Sequence, residues 1–479
     1  MAHAPVLSSL STELLHLIFG HFCLHCRGGF REPYWVEKDA GHDQSEAYLR
    51  DRHTLFSLCL VSRRMRDVAQ HVLHHEFILG YAHLRRRMAY SWRGRLTSFI
   101  RTVSTRRDLA ALVKTVFFHP SLQEGVELAA AWVAMRHAAD ALQVDLTEVW
   151  KRRRLDDRER ASDMDHILLR RDLFLGPLHS IDRVTRFQDR VVLVPELLAV
   201  LLALLPNLKQ LVFRIWVGSV DVPPAAMSAL GVTRLPLRIL ETSAGQRNLL
   251  GLAPDLESLT CGRVSGFEKF SFPRLKSFCT RGTFVTNKDF SRTVESCPEC
   301  LSSFTYETSG GWESGTRVMP PSEAVAQLSK FRGTLKSLHI DLRSGFLVPQ
   351  DFRLDIFPNL EGFTVLESLF LTTNAIYHAN NLEPPDEDSL VAILPPSIVS
   401  LTLAKAMPST PKRLMRGLLG LAEYKRCNPE RFWKLKFVRC DTKEVCFDSS
   451  VRKAFGEVDV DLVYEQFPRQ DLRNYDRDG

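Results

Sequence analysis

Near the start of the chain Leu14, Ile18 and Phe22 recur every four residues, with Leu15 and Phe19 beside them. That spacing predicts a helix, with Ser11 as its N-cap and Glu13 at the positive end of its dipole. From 26 to 50 the pattern turns polar, with Gly28, Gly29, Pro33 and Gly41, and predicts a loop. A second helix is expected in HTLFSLCLVSRRMRDVAQHVL, where Val61, Met65, Val68 and Val72 share a face and Arg63, Arg64, Arg66 and Asp67 face water. The stretch RLTSFIRTVSTRRDLAALVKTVFF passes from a helical pattern into a short strand ending at Phe118, and an Ala/Leu helix follows over 126–144. Residues 151–160, KRRRLDDRER, carry both signs and no apolar stripe, as in a solvated helix or linker.

Beyond Pro195 one apolar pattern, L-x-x-L-x-L, keeps returning. Its instances are Leu208, Leu211, Phe213; Leu237, Leu240, Thr242; Leu256, Leu259, Cys261; Leu275, Phe278, Thr280; and Leu301, Phe304, Tyr306. It continues as Leu335, Leu338, Ile340; Leu366, Leu369, Leu371; Ile398, Leu401, Leu403; and more weakly Phe432, Leu435, Phe437. The spacings of 29, 19, 19, 26, 34, 31, 32 and 34 residues average 28, an irregular leucine-rich-repeat period. Two apolar residues at period two point inward from a short strand, and the third precedes it where the chain turns in. One such strand cannot bury its own face, so the expected fold is α/β: a parallel stack forming a curved solenoid, strands on the concave side. Prolines in APDLESL, FPRLKSF, CPECLSSF and LPPSIVSL stand just before the strands, where a missing N–H does least harm. Val113, Val116 and Phe118 fit as an early repeat.

Composition sharpens this. At 479 residues, 45% hydrophobic and 25% charged, the chain is an ordinary globular one except for leucine, about one residue in seven, which the repeats absorb. A net charge of +7 is too small to establish nucleic-acid binding. Ten cysteines are too sparse for a disulfide scaffold. The start lacks a basic n-region, and the most apolar run, 197–205, is half a membrane span. A cytoplasmic or nuclear protein, not associated with membrane, is expected.

The element LSSLSTELLHLIFGHF followed by LFSLCLVSRRMRDVAQHVLHHEF resembles an F-box, and with the repeats the chain resembles a fungal-type F-box protein with leucine-rich repeats. Leu10-Ser11 stands where that family has Leu-Pro, and the insertion at 27–50 separates the two helices. The resemblance implies an F-box module over 1–80, an arginine-rich connector over 81–190 with the early strand at 113–118, a repeat domain over 191–450 and a polar tail over 451–479. It implies a substrate-recognition subunit of an SCF-type cullin-RING ubiquitin ligase, docked to a Skp-type adaptor and binding an unknown protein substrate for ubiquitin-dependent degradation. The adaptor-facing residues carried over are Leu10, Glu13, Leu14, Ile18, Leu60, Val61 and Met65. On spacing alone such a helix pair is more often part of an ordinary helical core, so a repeat scaffold with no ubiquitin connection stays open.

The outward positions of the strands predict a surface. Ser258, Ser277, Ser303, Ser337, Ser368 and Ser400 occupy one of them, read as small polar residues tolerated on a curved face. The next varies as Val212, Glu241, Thr260, Cys279, Thr305, His339, Phe370, Thr402 and Lys436. His339 and Phe370, in adjacent strands and flanked by Asp341, are the candidate substrate-binding residues, an exposed aromatic beside hydrogen-bonding groups.

Other constellations carry less. His21, Cys23, His25 and Cys26 crowd the end of the first helix, but no second ligand pair follows at finger spacing, so no metal and no cofactor is expected. Cys297-Pro-Glu-Cys300 sits immediately before a repeat strand, and its second cysteine fills the turn. Arginines at 85–87, 93, 95, 101, 106 and 107 are read as a solvated helix face, with a nucleic-acid contact as the minor alternative. No P-loop, dinucleotide-binding glycine motif, G-x-S-x-G or H-E-x-x-H is present, so no catalytic residue is expected.

Overall fold

The computed structural model describes residues 9–28, 40–79, 93–118, 122, 126–146, 186–213, 222, 224–242, 247–261, 270–281, 287–307, 319–343, 357–377, 385–405 and 411–467. The charged run 151–160 and Arg85, Arg86 and Arg87 lie outside them. The chain divides into two compact units, one up to Asp255 and one from Leu256 onward. Each alternates parallel strands with helices, so the protein is α/β.

The first unit opens with α1 (Thr12–Gly20), α2 (Ala40–Val61) and α3 (Arg63–Leu73). Ser11 caps α1 as expected, its Oγ accepting from the Leu14 N–H. Two expectations need correction. The polar insertion is not a loop throughout, because α2 starts at Ala40. The second helix is two helices: Ser62 is extended, and its Oγ accepts from the Met65 N–H at 3.2 Å to begin α3 afresh.

Strands β1 (Glu76–Ile78), β2 (Thr115–Phe118), β3 (Gln210–Phe213) and β4 (Ile239–Thr242) follow in sequential parallel order. Val116 aligns with Leu211, and Leu211 with Leu240, so the early repeat strand is in register with the later pattern. All four residues of β2 are buried. The reason lies on its second face, where Leu24, Tyr48, Ile78, Phe117 and Val212 form one apolar cluster. Helices Leu128–Leu142 and Arg186–Leu204 belong to this unit, and the apolar run 197–205 is buried core apart from half-buried Ala203.

The second unit stacks β5 (Ser258–Cys261), β6 (Ser277–Arg281), β7 (Ser303–Glu307), β8 (Ser337–Asp341), β9 (Ser368–Thr372), β10 (Ser400–Ala404), β11 (Phe437–Cys440) and β12 (Asp461–Tyr464), all parallel and in chain order. The first apolar residue of each pattern closes a turn: Leu275 N–H donates to Phe272 O, Leu301 to Pro298 O, Leu366 to Phe363 O and Ile398 to Pro395 O. That turn aims its side chain into the core beside the two inward strand residues. All three apolar residues are buried in every instance from β5 to β10.

The last repeat is out of register with its expected reading. Leu401 pairs with Val438 and Leu403 with Cys440, so the inward residues are Leu435, Val438 and Cys440. Phe432 is the turn residue, its carbonyl accepting from the Leu435 N–H as Phe272 does for Leu275. The outward residue is therefore Arg439, and Lys436 precedes the strand. The expected polar tail from 451 carries structure as well. Asp448 caps helix Ser449–Glu457, which buries Val451 and Phe455, and β12 pairs with β11.

Candidate functional site

The core of the three N-terminal helices takes the Leu15 and Phe19 stripe of α1, with Phe22 packed against it, and leaves out Leu14 and Ile18. Leu15 and Phe19 of α1 and Cys23 pack with Leu55, Met65, Val68, Ala69 and Val72. That leaves Leu14, Leu17 and Ile18 exposed at one face of α1, and Phe56, Leu60 and Val61 exposed near the end of α2. Six of the ten large hydrophobic residues exposed among the described residues are these, with Leu17, Leu60 and Val61 each 68% exposed. Exposed apolar side chains concentrated on one small unit are a feature of surfaces that bind a partner.

Of the seven carried-over residues, Leu14, Ile18, Leu60, Val61 and Glu13 are exposed. Leu10 is half-buried against the helical core, and its carbonyl accepts from Arg64. Met65 is only 4% exposed and is a core residue, unable to reach a partner. The Glu13 carboxyl is held below its ordinary value by a bond from its own backbone N–H and by Ser11. Sequence reasoning missed Leu17 and Phe56, although each stands at helical spacing from a chosen residue, Leu17 three after Leu14 and Phe56 four before Leu60.

In the second unit the six serines stand in one row, each opposite the next: Ser258 by Ser277, then Ser303, Ser337, Ser368 and Ser400. None is buried. His339 pairs with Phe370 across β8 and β9, their rings stacked 3.8 Å apart and 2° from parallel. The surroundings differ from the expected open patch. Phe467 meets Phe370 edge-on at 5.6 Å, and the Arg343 guanidinium lies 5.5 Å from the Phe370 ring. Arg343 also donates to the Phe467 carbonyl at 3.1 Å, bonds Asp341 at 2.7 Å and lies 3.7 Å from Asp441. Asp341 is thus engaged within the chain, and Phe370 is half-buried beneath a C-terminal segment. Arg343, two residues beyond Asp341, is the organising side chain that the repeat template did not single out.

The cysteines are all free thiols. Cys23, His25 and Cys26 gather as the sequence suggested, but the fourth member is His75, at the end of α3, and not His21; the four potential ligand atoms lie within 4.8 Å of one another. Cys26 Sγ is 3.2 Å from His75 Nδ1 and 3.8 Å from His25 Nδ1, and Cys23 Sγ is 3.9 Å from His75 Nδ1. The hydrogen bond between the two thiols, with burial, pushes Cys23 up to about 12, and the same bond lowers Cys26. Cys297 is a buried thiol pushed up to about 12 by burial, and Cys300 faces the Leu275 carbonyl in the turn before β7.

The described arginines of the basic stretch are largely used within the fold. Arg93 pairs with Glu127 and Arg106 with Asp108, while Arg107 donates to the Leu204 carbonyl. No helix among the described residues is long and apolar enough to cross a membrane. No protein family and no curated protein matches this chain.

Proposed function

We propose that the chain is a non-catalytic substrate receptor of an SCF-type cullin-RING ubiquitin ligase, with the N-terminal helices as an F-box that docks a Skp-type adaptor and the leucine-rich-repeat strands as the substrate-holding half. The observation that carries this reading is the exposed set Leu14, Leu17, Ile18, Phe56, Leu60 and Val61 on a unit whose core is already filled by Leu15, Phe19, Leu55 and Met65. Fully burying an aliphatic side chain contributes about 1.5 to 3 kcal/mol, so four contribute about 6 to 12 kcal/mol, comparable with an association cost of about 4 to 15 kcal/mol. A solenoid cap with no partner calls for a polar outer face, whereas α1 and the end of α2 expose six large apolar side chains. The stacked parallel strands of the second unit, with a polar serine row on the outward side, support a protein-binding half.

The test is co-purification with a Skp-type adaptor. The double variant Leu14→Asp with Ile18→Asp is expected to abolish capture while circular dichroism stays as in the wild type and melting changes little, since Leu14 and Ile18 are 47% and 37% exposed and neither belongs to the helical core. Undiminished capture by that variant sinks the assignment.

A further inference from the structure

Cys23-Leu24-His25-Cys26 occupies a single tight turn after α1, closed by the Arg27 N–H donating to the Cys23 carbonyl at 3.1 Å. Both sulfurs therefore lie on one side. His75 arrives from a separate segment and is equally fixed: its N–H donates to Val72 O, and its carbonyl accepts from Lys114 and Thr115 at the start of β2. Neither segment needs to rearrange to bring two thiols and two imidazoles together.

The distances fit one particular occupant. A tetrahedral zinc ion with bonds of about 2.3 Å to sulfur and about 2.0 to 2.1 Å to nitrogen sets sulfur and nitrogen about 3.6 Å apart. Three of the four sulfur–nitrogen separations are 3.2, 3.8 and 3.9 Å, on both sides of that value, and all four ligand atoms lie within 4.8 Å of one another. The donor set is the borderline-soft pair of thiolate and imidazole that suits zinc and excludes calcium or magnesium. A second layer is in place as well. Glu76, 2% exposed, accepts from the His25 N–H at 3.0 Å and lies 3.7 Å from Arg52.

We propose that Cys23, His25, Cys26 and His75 bind a structural Zn2+. On binding, each thiol gives its proton to solvent, both histidines ligate as neutral imidazoles, and two thiolates balance the dication. The Cys23 thiol, which donates to Glu76 at 3.4 Å, ceases to do so, and Glu76 keeps the His25 amide and Arg52. Four protein ligands close the shell and leave no position for substrate, which makes the site a tie between the turn after α1 and the α3–β1 junction and not a catalytic centre. It does not rest on adaptor docking, because metal is read on the free chain.

The experiment is elemental analysis of the full chain, purified without a histidine tag from zinc-supplemented cells and dialysed against metal-free buffer. The expected result is about one zinc per chain, falling to about a tenth or less in Cys26→Ser and in His75→Ala, and unchanged in Cys427→Ser, an exposed cysteine elsewhere. Cobalt added to the metal-free chain should show thiolate charge-transfer and tetrahedral ligand-field bands, absent in Cys26→Ser, a variant at an exposed position that the fold tolerates. Wild-type protein with about a tenth of an equivalent of zinc or less and no cobalt spectrum overturns the proposal. So does a Cys23–Cys26 disulfide found by mass spectrometry of the freshly purified chain, or full zinc retention by both ligand variants.

Discussion

Strands β1 to β3 of the first unit and β5 to β10 of the second are built on the same parallel stacking, yet their outward faces meet opposite fates. At β2 the outward Phe117 is buried against Leu24, Tyr48, Ile78 and Val212, so apolar residues occupy both faces. At β7 the corresponding positions are Ser303 and Thr305, both half-buried, Ser303 between Ser277 and Ser337 and Thr305 between Cys279 and His339. Leu24 and Tyr48 of the N-terminal segment cover that face from Ile78 to Val212. The second unit keeps a polar strand face, closed over His339 and Phe370 by Phe467 and Arg343. One repeat grammar thus serves two ends: as core where a segment covers it, and as surface where none does.

Paired substitutions can break this comparison. The largest effect is expected for Phe117→Ala, which should cost about 3 to 5 kcal/mol in chemical denaturation, against a change within about 0.5 kcal/mol for Thr305→Ala at the matching position. Equal costs would erase the distinction. Within the N-terminal helices, Met65→Ala should lose about 2 to 5 kcal/mol, while Leu60→Ala leaves stability nearly unchanged. Gly420→Ala comes next. A Cβ there would sit 2.0 Å from the Glu387 carbonyl oxygen, so the helix Pro411–Cys427 must shift, at a cost of about 1 to 3 kcal/mol. A variant as stable as wild type would show that this contact is loose.

The smallest expected effect is electrostatic. Burial opposes the charge on Asp386, but the bonds and charges of Arg416 and Arg413 outweigh it and hold the carboxyl below its ordinary value. With the folded value depressed, its contribution is full above the ordinary aspartate range and is lost as pH falls through the lowered value. Asp386→Asn should therefore narrow the gap between stability at neutral and acid pH, read by denaturant titration at both. An unaltered gap would remove the clamp from the account.

Much of this fold is legible in the residue pattern, and the exceptions have physical causes. The apolar triplets from Leu208 to Leu403 locate β3 to β10 in correct register, because each triplet marks a turn and two inward side chains. The last triplet misleads because Phe432, a buried turn aromatic, mimics its first member. Strand β1, three residues long, is too short to show alternation, and β12 has no buried face to mark it. The first half of α2 carries no apolar stripe to announce it. For the N-terminal site, the spacing identifies the helices but not which stripe is core: Leu15 and Phe19 go inward, and Leu14 and Ile18 outward. His75 joins Cys26 across 49 residues, a proximity that only the packing of α1 on α3 creates.

The most direct measurement is calorimetric titration of a purified Skp-type adaptor into the full chain and into its Leu14→Asp, Ile18→Asp variant. The account predicts a one-to-one complex with Kd of about 1 μM or tighter, weakened at least about a hundredfold in a variant of nearly unchanged stability. No heat of binding with the wild type, or equal affinity for both chains, would contradict it.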